Sequence, residues 1–293
     1  MTSLRQLQIF RAVARNLSYT RAAEHLNLTQ PAVFTQVRQL QEHLGSALIE
    51  RIGKRLFLTE AGEVVLATAQ DVLDELDSMN MRLTELRGMA RGRLRISVVS
   101  TAKYDIPRRL GDYCRKYPGI DVSLTVGNRE ELLERFAANE DDLYVLGTIP
   151  EELEADSRQY AENPIVVVAA PDHPLAGKQR VIASDLQGKA FIMREKGSGT
   201  RIATEGYFLG EGITPTIRME LGANEAISEA VMAGLGISVI SRGSARLELQ
   251  SGKLVELNVA GFPILRHWHV AWPKGKRISV GAEAFLAVLL EEH

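Results

Sequence analysis

Hydrophobic residues recur at helical spacing along the amino-terminal part of the chain. They are Leu4, Leu7, Phe10, Val13 and Ala14. This spacing predicts an amphipathic helix over residues 4–15. Ser18 suits a helix start, and Ala22, Ala23 and Leu26 share one face of a second short helix. Because the two alanines are small, they favour close crossing with a neighbouring helix.

A third helix is predicted between Thr29 and Gly45. Thr29 can cap this helix, Pro31 is tolerated in its first turn, and Gly45 suits the left-handed residue at its end. The positions expected to be buried are Val33, Val37, Leu40 and Leu44. Two short helices, a tight turn and a capped third helix predict a helix-turn-helix motif.

The residues after this helix predict a β-wing. A strand over 48–51, a basic turn at 53–55 and a strand over 56–58 lay cations where a DNA backbone would pass. Early residues of the third helix would enter the major groove, where glutamine pairs with adenine and small methyl groups meet thymine. The candidate DNA contacts are Thr29, Gln30, Pro31, Ala32, Thr35, Gln36, Arg38, Arg51, Lys54 and Arg55. The alternative is a helical bundle without a DNA role.

A long helix without Pro or Gly is predicted over residues 63–87. Its apolar positions alternate spacings of four and three, as in a coiled-coil seam. They are Val65, Ala69, Val72, Leu76, Met79, Leu83 and Leu86. This seam predicts a homodimer through the helix, and packing against its own chain is the alternative. Gly88 and residues 90–92 predict a hinge.

From Arg93 onward, short strands alternate with helices, which predicts parallel α/β sheets. The strands are expected at 93–100, 122–126, 142–146, 164–171, 190–193, 216–221, 236–241 and 268–272. The helices are expected at 103–117, 129–138, after Gly199, at 224–233 and from Ser279. Residues 147–163 are predicted to be irregular.

Polar turns follow several of these strands and open helices. Open α/β sheets bind ligands beyond the carboxyl ends of their strands, and helix starts attract anions. The candidate ligand-binding residues are Ser100, Thr101, Ala102, Lys103, Asn128, Arg129, Thr148, Gly197, Ser198, Gly199, Thr200, Arg201, Asn224 and Glu225. The run at 197–201 combines flexible backbone, two hydroxyls and an arginine that can bind a phosphate or carboxylate in two places. Each turn taken alone predicts only a helix cap.

Charge is distributed unevenly along the chain. Residues 1–60 carry a net charge of +4, and the remainder carries −6 within the total of −2. A basic end on an acidic body is expected when that end meets phosphate. The single cysteine, Cys114, excludes an intramolecular disulfide, and we expect it to be packed in its helix. With no export signal and no apolar membrane segment, these features predict a cytoplasmic protein.

Two motifs of the amino-terminal part resemble those of LysR-type transcriptional regulators. They are AAEHLNLTQPAVFTQVRQLQEHLGSALIER at 22–51 and LFLTEAG at 56–62. The chain departs from the family pattern at Phe34, Thr35 and Ile49. The resemblance implies a winged helix-turn-helix domain (residues 1–60), a dimerising linker helix (61–90) and a periplasmic-binding-protein-like effector domain (91–293). It also implies two lobes, lobe I at about 91–163 and 267–293 and lobe II at about 164–266.

Within that family, the carboxyl-terminal part is similar to the regulators of Calvin-cycle (carbon-fixation) operons, the CbbR group. The segments that carry this similarity lie at 100–110, 117–136, 162–176, 197–201 and 224–241. The resemblance implies a transcription regulator that binds double-stranded DNA as a homodimer or homotetramer, with RNA polymerase as a further partner. Its effector would be a phosphorylated sugar or a nicotinamide nucleotide, and no cofactor is required.

Two alternatives stay open. One is a constitutive or architectural DNA-binding protein with an idle pocket. The other is an enzyme that acts on a phosphorylated substrate, although the sequence offers no nucleophile–base pair. The residues predict neither a catalytic site nor a metal site, because His267 and His269 lack further ligands at metal-binding spacing.

Overall fold

The computed structural model describes residues 2–85 and 92–291. It forms two compact units. The first holds the described residues before β3, the strand Gly92–Val99, together with Ala138–Glu140, and the second holds the remainder. Leu86 of the predicted seam and most of the predicted hinge lie outside the described residues. Within the described ranges, no helix is both long enough and apolar enough to cross a membrane.

Helices dominate the first unit. They are α1 (Leu4–Asn16), α2 (Tyr19–Leu26), α3 (Gln30–Leu44) and α4 (Glu60–Glu85), with the hairpin strands β1 (Ile49–Ile52) and β2 (Arg55–Leu58) between α3 and α4. Ser18 and Thr29 cap α2 and α3 as predicted, and Gly45 ends α3 in the left-handed conformation. Phe10, Val13, Ala22, Val33 and Leu40 are among the buried residues that hold the three short helices together.

The prediction that Leu44 of α3 is buried is wrong. Leu44 is 41% exposed, whereas Val33, Val37 and Leu40 are fully buried. The last turn of α3 extends beyond the core, because the chain leaves through Gly45 toward β1. Leu48, the next apolar residue, is fully buried in the core.

Two five-stranded sheets form the second unit. The first sheet has the order β4-β3-β5-β12-β6, with β4 Ile120–Gly127, β5 Leu143–Leu146, β6 Ala155–Glu162 and β12 His267–Pro273. The second has the order β11-β7-β10-β8-β9, with β7 Ile165–Ala169, β8 Ala190–Arg194, β9 Thr216–Leu221, β10 Ile237–Ser241 and β11 Val255–Glu256. The helices are α5 (Ile106–Lys116), α6 (Arg129–Ala137), α7 (Ala183–Leu186), α8 (Gly199–Gly210), α9 (Asn224–Met232), α10 (Arg246–Gln250) and α11 (Val280–Leu290).

The predicted parallel sheets are mixed in the structure. Strand β3 is parallel to β4 and β5, and β8 is parallel to β9 and β10, as predicted. Strand β12 runs antiparallel to β5 and β6, and β7 runs antiparallel to β10 and β11. Strand β6 lies in the stretch that was predicted to be irregular. Its sequence, ADSRQYAE, contains no branched apolar residue and so lacks the usual pattern of a strand. Such a sequence is compatible with an edge strand, of which no residue is fully buried.

The chain crosses between the two sheets twice, and the two crossing segments pair with each other. The Asn163 backbone N–H donates to the carbonyl of Arg266 at 2.7 Å. Ile165 and Ile264 exchange hydrogen bonds of 3.0 and 2.9 Å. Each sheet and its helices therefore form one lobe, and a short antiparallel ladder joins the lobes.

Candidate functional site

Helix α3 presents most of the predicted DNA-contacting residues to solvent. Gln30, Pro31, Ala32 and Arg38 are exposed. Thr35 and Gln36 are half-buried in the next turn. The Thr29 hydroxyl accepts a 3.4 Å hydrogen bond from the Ala32 N–H. This bond occupies the hydroxyl as a helix cap, so the first turn of α3 is fixed with its outer face open.

Phe34 lies on the same exposed face of α3, although it was not among the predicted contacts. Its ring is 46% exposed and meets the edge of Tyr19 with centroids 5.3 Å apart. Burial raises the pKa of the Tyr19 hydroxyl. The pair fixes the first turn of α2 against α3. An apolar ring therefore stands beside the polar side chains of this face.

The hairpin is anchored to the third helix by one side chain. The Gln41 carbonyl oxygen accepts hydrogen bonds from the backbone N–H groups of Leu48 and Ile49, at 2.8 and 3.1 Å. Arg51, Lys54 and Arg55 are exposed around the turn. The Arg51 Nε donates to the carbonyl of Gly53 at 3.1 Å. A basic tip is thus held at a fixed distance from α3.

A cavity between the two lobes encloses about 460 Å³, part of it open to solvent. It lies at the carboxyl ends of β3, β4, β5 and β8. The structure brings eight of the predicted ligand-binding residues to its wall: Ser100, Thr101, Asn128, Arg129, Thr148, Ser198, Gly199 and Thr200.

Helix starts contribute two sides of this cavity. The Asn128 side chain accepts from the Glu131 N–H at 3.0 Å, which caps α6. Ser198 caps α8 by accepting from the Arg201 N–H. The next residues, Gly199 and Thr200, leave the amino-terminal end of α8 facing the cavity. Such an end offers backbone N–H groups and a partial positive charge to an anion.

Arg201 is not brought to the cavity, although its motif predicted an anion-binding arginine. The residue is 7% exposed. Its guanidinium binds the carboxylates of Glu205 and Glu220 and donates to the carbonyl of Arg194 at 2.8 Å. These bonds raise the pKa of Arg201. The side chain therefore ties α8 to β8 and β9 and points its charge at acids of its own lobe.

The other predicted residues outside the cavity wall connect the lobes or pack between them. Lys103 forms a 2.8 Å ion pair with Glu225, and the Tyr104 hydroxyl donates to the same carboxylate at 2.8 Å. Asn224 donates to the carbonyl of Ser100 at 3.4 Å. Lys103, Tyr104 and Glu225 form an interlobe clasp beside the cavity.

Two small predicted residues act by their size. Ala102 is fully buried. Gly197 has a φ of +83°, and a Cβ at this position would collide with the Glu130 side chain of the opposite lobe. The glycine therefore allows the turn before α8 to approach α6 closely. Neither residue lines the cavity.

Sequence reasoning missed two arginines and one asparagine of the cavity wall. Arg194 ends β8, Asn163 lies in the crossing segment, and Arg266 precedes β12. Arg194 is 3% exposed and donates to Ser100 at 2.9 Å and to Asn224 at 2.7 Å, while Glu195 pairs with it. The signal available in the sequence was an arginine at the carboxyl end of a strand. Val99, Gly147 and Ile165 complete the lining.

Arg129 and Arg266 make the cavity electropositive. Burial and then the nearby charge of Arg129 lower the pKa of Arg266. Arg266 donates to the Thr148 hydroxyl at 2.8 Å. In the described part of the chain, neither arginine has a carboxylate within ion-pair distance, and no acidic residue lines the cavity. An anion placed here would relieve the repulsion between two like charges.

Other chemistry is sparse in the described ranges. Within them, no group of three or more His, Cys, Asp or Glu side chains could hold a metal ion. Cys114 was predicted to be packed, but it is exposed on α5. The apolar face of that helix is carried instead by Ile106, Leu110 and Tyr113.

Comparison with known families gives a match for each unit of the chain. Residues 4–63 match the model of bacterial regulatory helix-turn-helix proteins of the lysR family, and residues 87–293 match the LysR substrate binding domain. The RuBisCO operon transcriptional regulator of Acidithiobacillus ferrooxidans is 48% identical over 287 residues, which cover 98% of this chain and 93% of the relative.

Two solved structures extend the comparison. The regulatory domain of CcmR from Synechocystis PCC6803, in complex with 2-PG, is 47% identical and has a TM-score of 0.66. The match covers 68% of this chain and 95% of that domain. Full-length CbnR, complexed with its target DNA, shares the fold at 23% identity, with a TM-score of 0.65 over 98% of this chain and 99% of CbnR.

The two family models cover both units of the chain, and the relative named above is a transcription regulator, as the helix-turn-helix and the lobed second unit predicted. The chain therefore belongs to the LysR family of DNA-binding transcription regulators and is not an enzyme.

Proposed function

We propose that this regulator controls carbon-fixation genes in response to a small phosphorylated carboxylate bound between the lobes of its second unit. One observation carries the ligand proposal: Arg129 and Arg266 face a cavity that also receives the amino-terminal end of α8 and contains no acidic lining residue. The similarity to a RuBisCO operon regulator over nearly the whole chain supports the choice of target genes.

The cavity favours a compact dianion over a dinucleotide. Hydroxyls of Ser100, Thr101 and Thr148 and the start of α8 suit a phosphate, and the paired arginines suit a carboxylate. A nicotinamide nucleotide would need room for two bases and two riboses. The CcmR domain is described in complex with 2-PG, which we take to be 2-phosphoglycolate. This molecule carries both anionic groups on two carbon atoms.

For the DNA side, we assign base contacts to α3 and backbone contacts to the hairpin. Gln30, Ala32, Thr35 and Gln36 belong to the first half of α3, the part that enters the groove in such motifs. Arg38, Arg51, Lys54 and Arg55 supply charge for phosphates, while Thr29 and Pro31 shape the entry of the helix. The exposure of this face and of the hairpin turn supports the assignment.

Ligand binding would act on DNA through the position of the lobes. The interlobe clasp and the bonds of Arg194 already hold the lobes near each other. A ligand that binds one arrangement better than another shifts the population toward it. In an assembled regulator, this shift would change the spacing or tilt of paired DNA-binding units and therefore the bending of the operator.

We infer the organisation around these sites as follows. Residues 1–60 form the winged helix-turn-helix domain, 61–90 the linker helix and 91–293 the effector domain, with lobe boundaries near 163 and 267. Assembly would begin with a homodimer through α4 and continue to a homotetramer. RNA polymerase would be contacted at the promoter. Three positions of the α4 seam support the dimer, since Val72, Met79 and Leu83 are each more than one-third exposed, whereas Val65 and Ala69 pack within their own chain.

Calorimetric titration of the full chain tests the ligand proposal. We expect 2-phosphoglycolate to bind more tightly than ribulose bisphosphate or NADPH, and to change operator footprints. Ligand at 100 times its Kd would add about 2.7 kcal/mol to the free energy of unfolding. Replacement of Arg129 and Arg266 by Gln should remove the binding. Arg180→Ala, an exposed arginine outside the cavity, is the control.

Thermal unfolding and operator footprinting with the same metabolites test the remaining alternative. A constitutive or architectural DNA-binding protein would show an unchanged unfolding temperature with every metabolite and identical footprints with and without them. Loss of operator binding in the double variant would also contradict the proposal, because the two arginines lie in the second unit and should leave DNA affinity intact.

A further inference from the structure

A second, larger cavity lies next to the crossing segments. It encloses about 880 Å³ and takes residues from both lobes. Its wall consists of Tyr104, Asp105, Arg108, Glu162, Asn163, Pro164, Arg242, Gly243, Arg246, Leu249, Gln250 and Trp268. Asn163 also lines the first cavity, so the two cavities share one wall. Apart from Asn163, no residue of the first cavity's wall or of the predicted DNA face lines this space, and Tyr104 belongs to the interlobe clasp.

Apolar residues form part of the lining of the second cavity. Trp268 is buried, and Pro164 and Leu249 are half-buried. The Trp268 ring nitrogen is directed at Thr101, 3.4 Å away, which leaves the carbon face of the indole for packing. Behind it, Tyr160 stacks on the indole with ring centroids 6.2 Å apart. These apolar side chains suit the aliphatic or aromatic part of a ligand.

Three arginines also line the cavity, and they differ in the partners that their guanidinium groups bind. Arg242 is neutralised by Glu256 through two bonds of 2.7 and 2.9 Å. Arg108 donates to the Tyr104 carbonyl at 3.2 Å. In the described part of the chain, Arg108 and Arg246 have no carboxylate partner. The space therefore offers two uncompensated cations beside an apolar wall.

Acidic residues of the lining set the position of a bound anion. Asp105 is paired with Arg109 at 2.9 Å, so its charge is compensated. Glu162 is exposed and is not paired with an arginine or lysine among the described residues. Arg246 and Leu249 lie three residues apart on α10 and so share one face of that helix, which places an anionic group at Arg246 beside an apolar side chain. We propose that this cavity is a second effector site, which binds an amphipathic organic anion with its phosphate or carboxylate at Arg246 and its apolar body against Leu249 and Trp268.

Phenyl phosphate is a suitable probe, because it combines one phosphate with one ring. Titration calorimetry of the full chain should detect its binding, and inorganic phosphate alone should not displace it. Arg246→Ala should weaken the binding about tenfold or more, since a charge-assisted hydrogen bond contributes about 1.5–3 kcal/mol. Glu162→Gln should strengthen it by a few-fold, because it removes a repelling charge.

Two further variants separate this site from the first. Gly243→Leu would place a side chain against Trp268, whose nearest atom lies 3.9 Å from an added Cβ, and should abolish the binding of phenyl phosphate. Arg266→Gln should leave it unchanged while weakening 2-phosphoglycolate. Arg180→Ala should change neither. Circular dichroism checks that Gly243→Leu folds, and the exposed Arg246→Ala variant gives the answer independently of it.

The opposite results overturn the proposal. Absence of phenyl phosphate binding to the wild-type chain would do so, as would equal affinity in the wild type, Arg246→Ala and Gly243→Leu. Loss of all phenyl phosphate binding in Arg266→Gln would show that only the first cavity binds anions. The titration with 2-phosphoglycolate is read separately, so failure at one cavity does not obscure the other.

Discussion

At the scale of single residues, the contacts of an arginine decide whether it can serve the first cavity. Arg201 binds Glu205 and Glu220 outside the cavity, whereas Arg266 faces the cavity beside Arg129. The lowered pKa of Arg266 reflects burial near a like charge. The difference between these arginines lies in their neighbours, which are distant in sequence.

Arg266→Gln tests this distinction. We expect 2-phosphoglycolate affinity to fall by about tenfold to a hundredfold, because the substitution removes a charge-assisted hydrogen bond. Arg201→Gln is the matched comparison, and its main effect should be lower stability of the second lobe. Titration calorimetry and urea unfolding measure the two effects. Equal loss of affinity in both variants would show that Arg201 also contributes to ligand binding.

The motif GSGTR shows what the sequence could and could not predict about the cavity. The polar starts of helices were predicted, because a strand followed by a capped helix has a local signature. Arg194 and Arg266 were missed because each belongs to a strand end or a crossing segment whose place in the cavity depends on the other lobe. The role of Arg201 depends on Glu220, which lies in a separate strand.

At the scale of elements, the hairpin supplies charge without sequence information. Lys54 is exposed at its turn. We expect Lys54→Ala to weaken binding to operator and to unrelated DNA by a similar factor, and to lower the salt slope of log K by about one per contact removed. Gel-shift titrations at several salt concentrations measure this. Gln36→Ala should instead reduce the preference for operator, and the reverse pattern would contradict our assignment.

The first turn of helix α4 contains a glycine, Gly62, that packs closely against the start and the end of the hairpin. A Cβ on Gly62 would collide with the backbone carbonyl oxygen of Leu48 and contact the Leu58 side chain. We expect Gly62→Ala to lower the free energy of unfolding by about 1–3 kcal/mol, as overpacking does. Gly206→Ala in α8 is the matched control, because an added Cβ there meets open space.

The control should change stability in the opposite direction. Alanine is favoured over glycine inside a helix by about 0.5–1 kcal/mol, so Gly206→Ala should stabilise the chain slightly. Far-UV circular dichroism during urea unfolding follows both variants. A stable Gly62→Ala variant would mean that α4 can move away from β1.

Elements with a strong local pattern were predicted closely, and those decided by partners were not. Helices α1 to α3 follow from hydrophobic spacing, and the caps Ser18, Thr29 and Gly45 follow from residue type; these predictions are confirmed. Strand β6 lacks such a pattern and exists because β12 pairs with it over its whole length. The direction of β12 likewise follows from its partners. The prediction of parallel strands is therefore confirmed for β3, β4, β5, β8, β9 and β10 but is wrong for β7 and β12.

At the scale of the whole molecule, the later part of helix α4 exposes apolar residues of the predicted seam to solvent. Met79 is 47% exposed and Leu83 is 46% exposed. We expect Met79→Glu together with Leu83→Glu to shift the protein toward monomer and to weaken operator binding strongly, because paired half-sites require two copies. Light scattering and gel shifts measure the two effects. Asn80→Glu, on the same helix but outside the seam, should change neither.

The paired crossing segments restrict how one lobe can move against the other. Hydrogen bonds of Asn163 to Arg266 and of Ile165 to Ile264 tie the outgoing and returning strands together. The strands cannot slide past each other without breaking these bonds, so bending of the ladder is the motion that remains. A ladder that only bends leaves the angle between the two lobes as the quantity that a ligand can change. Two chemically different metabolites that set the same angle would therefore have the same effect on transcription.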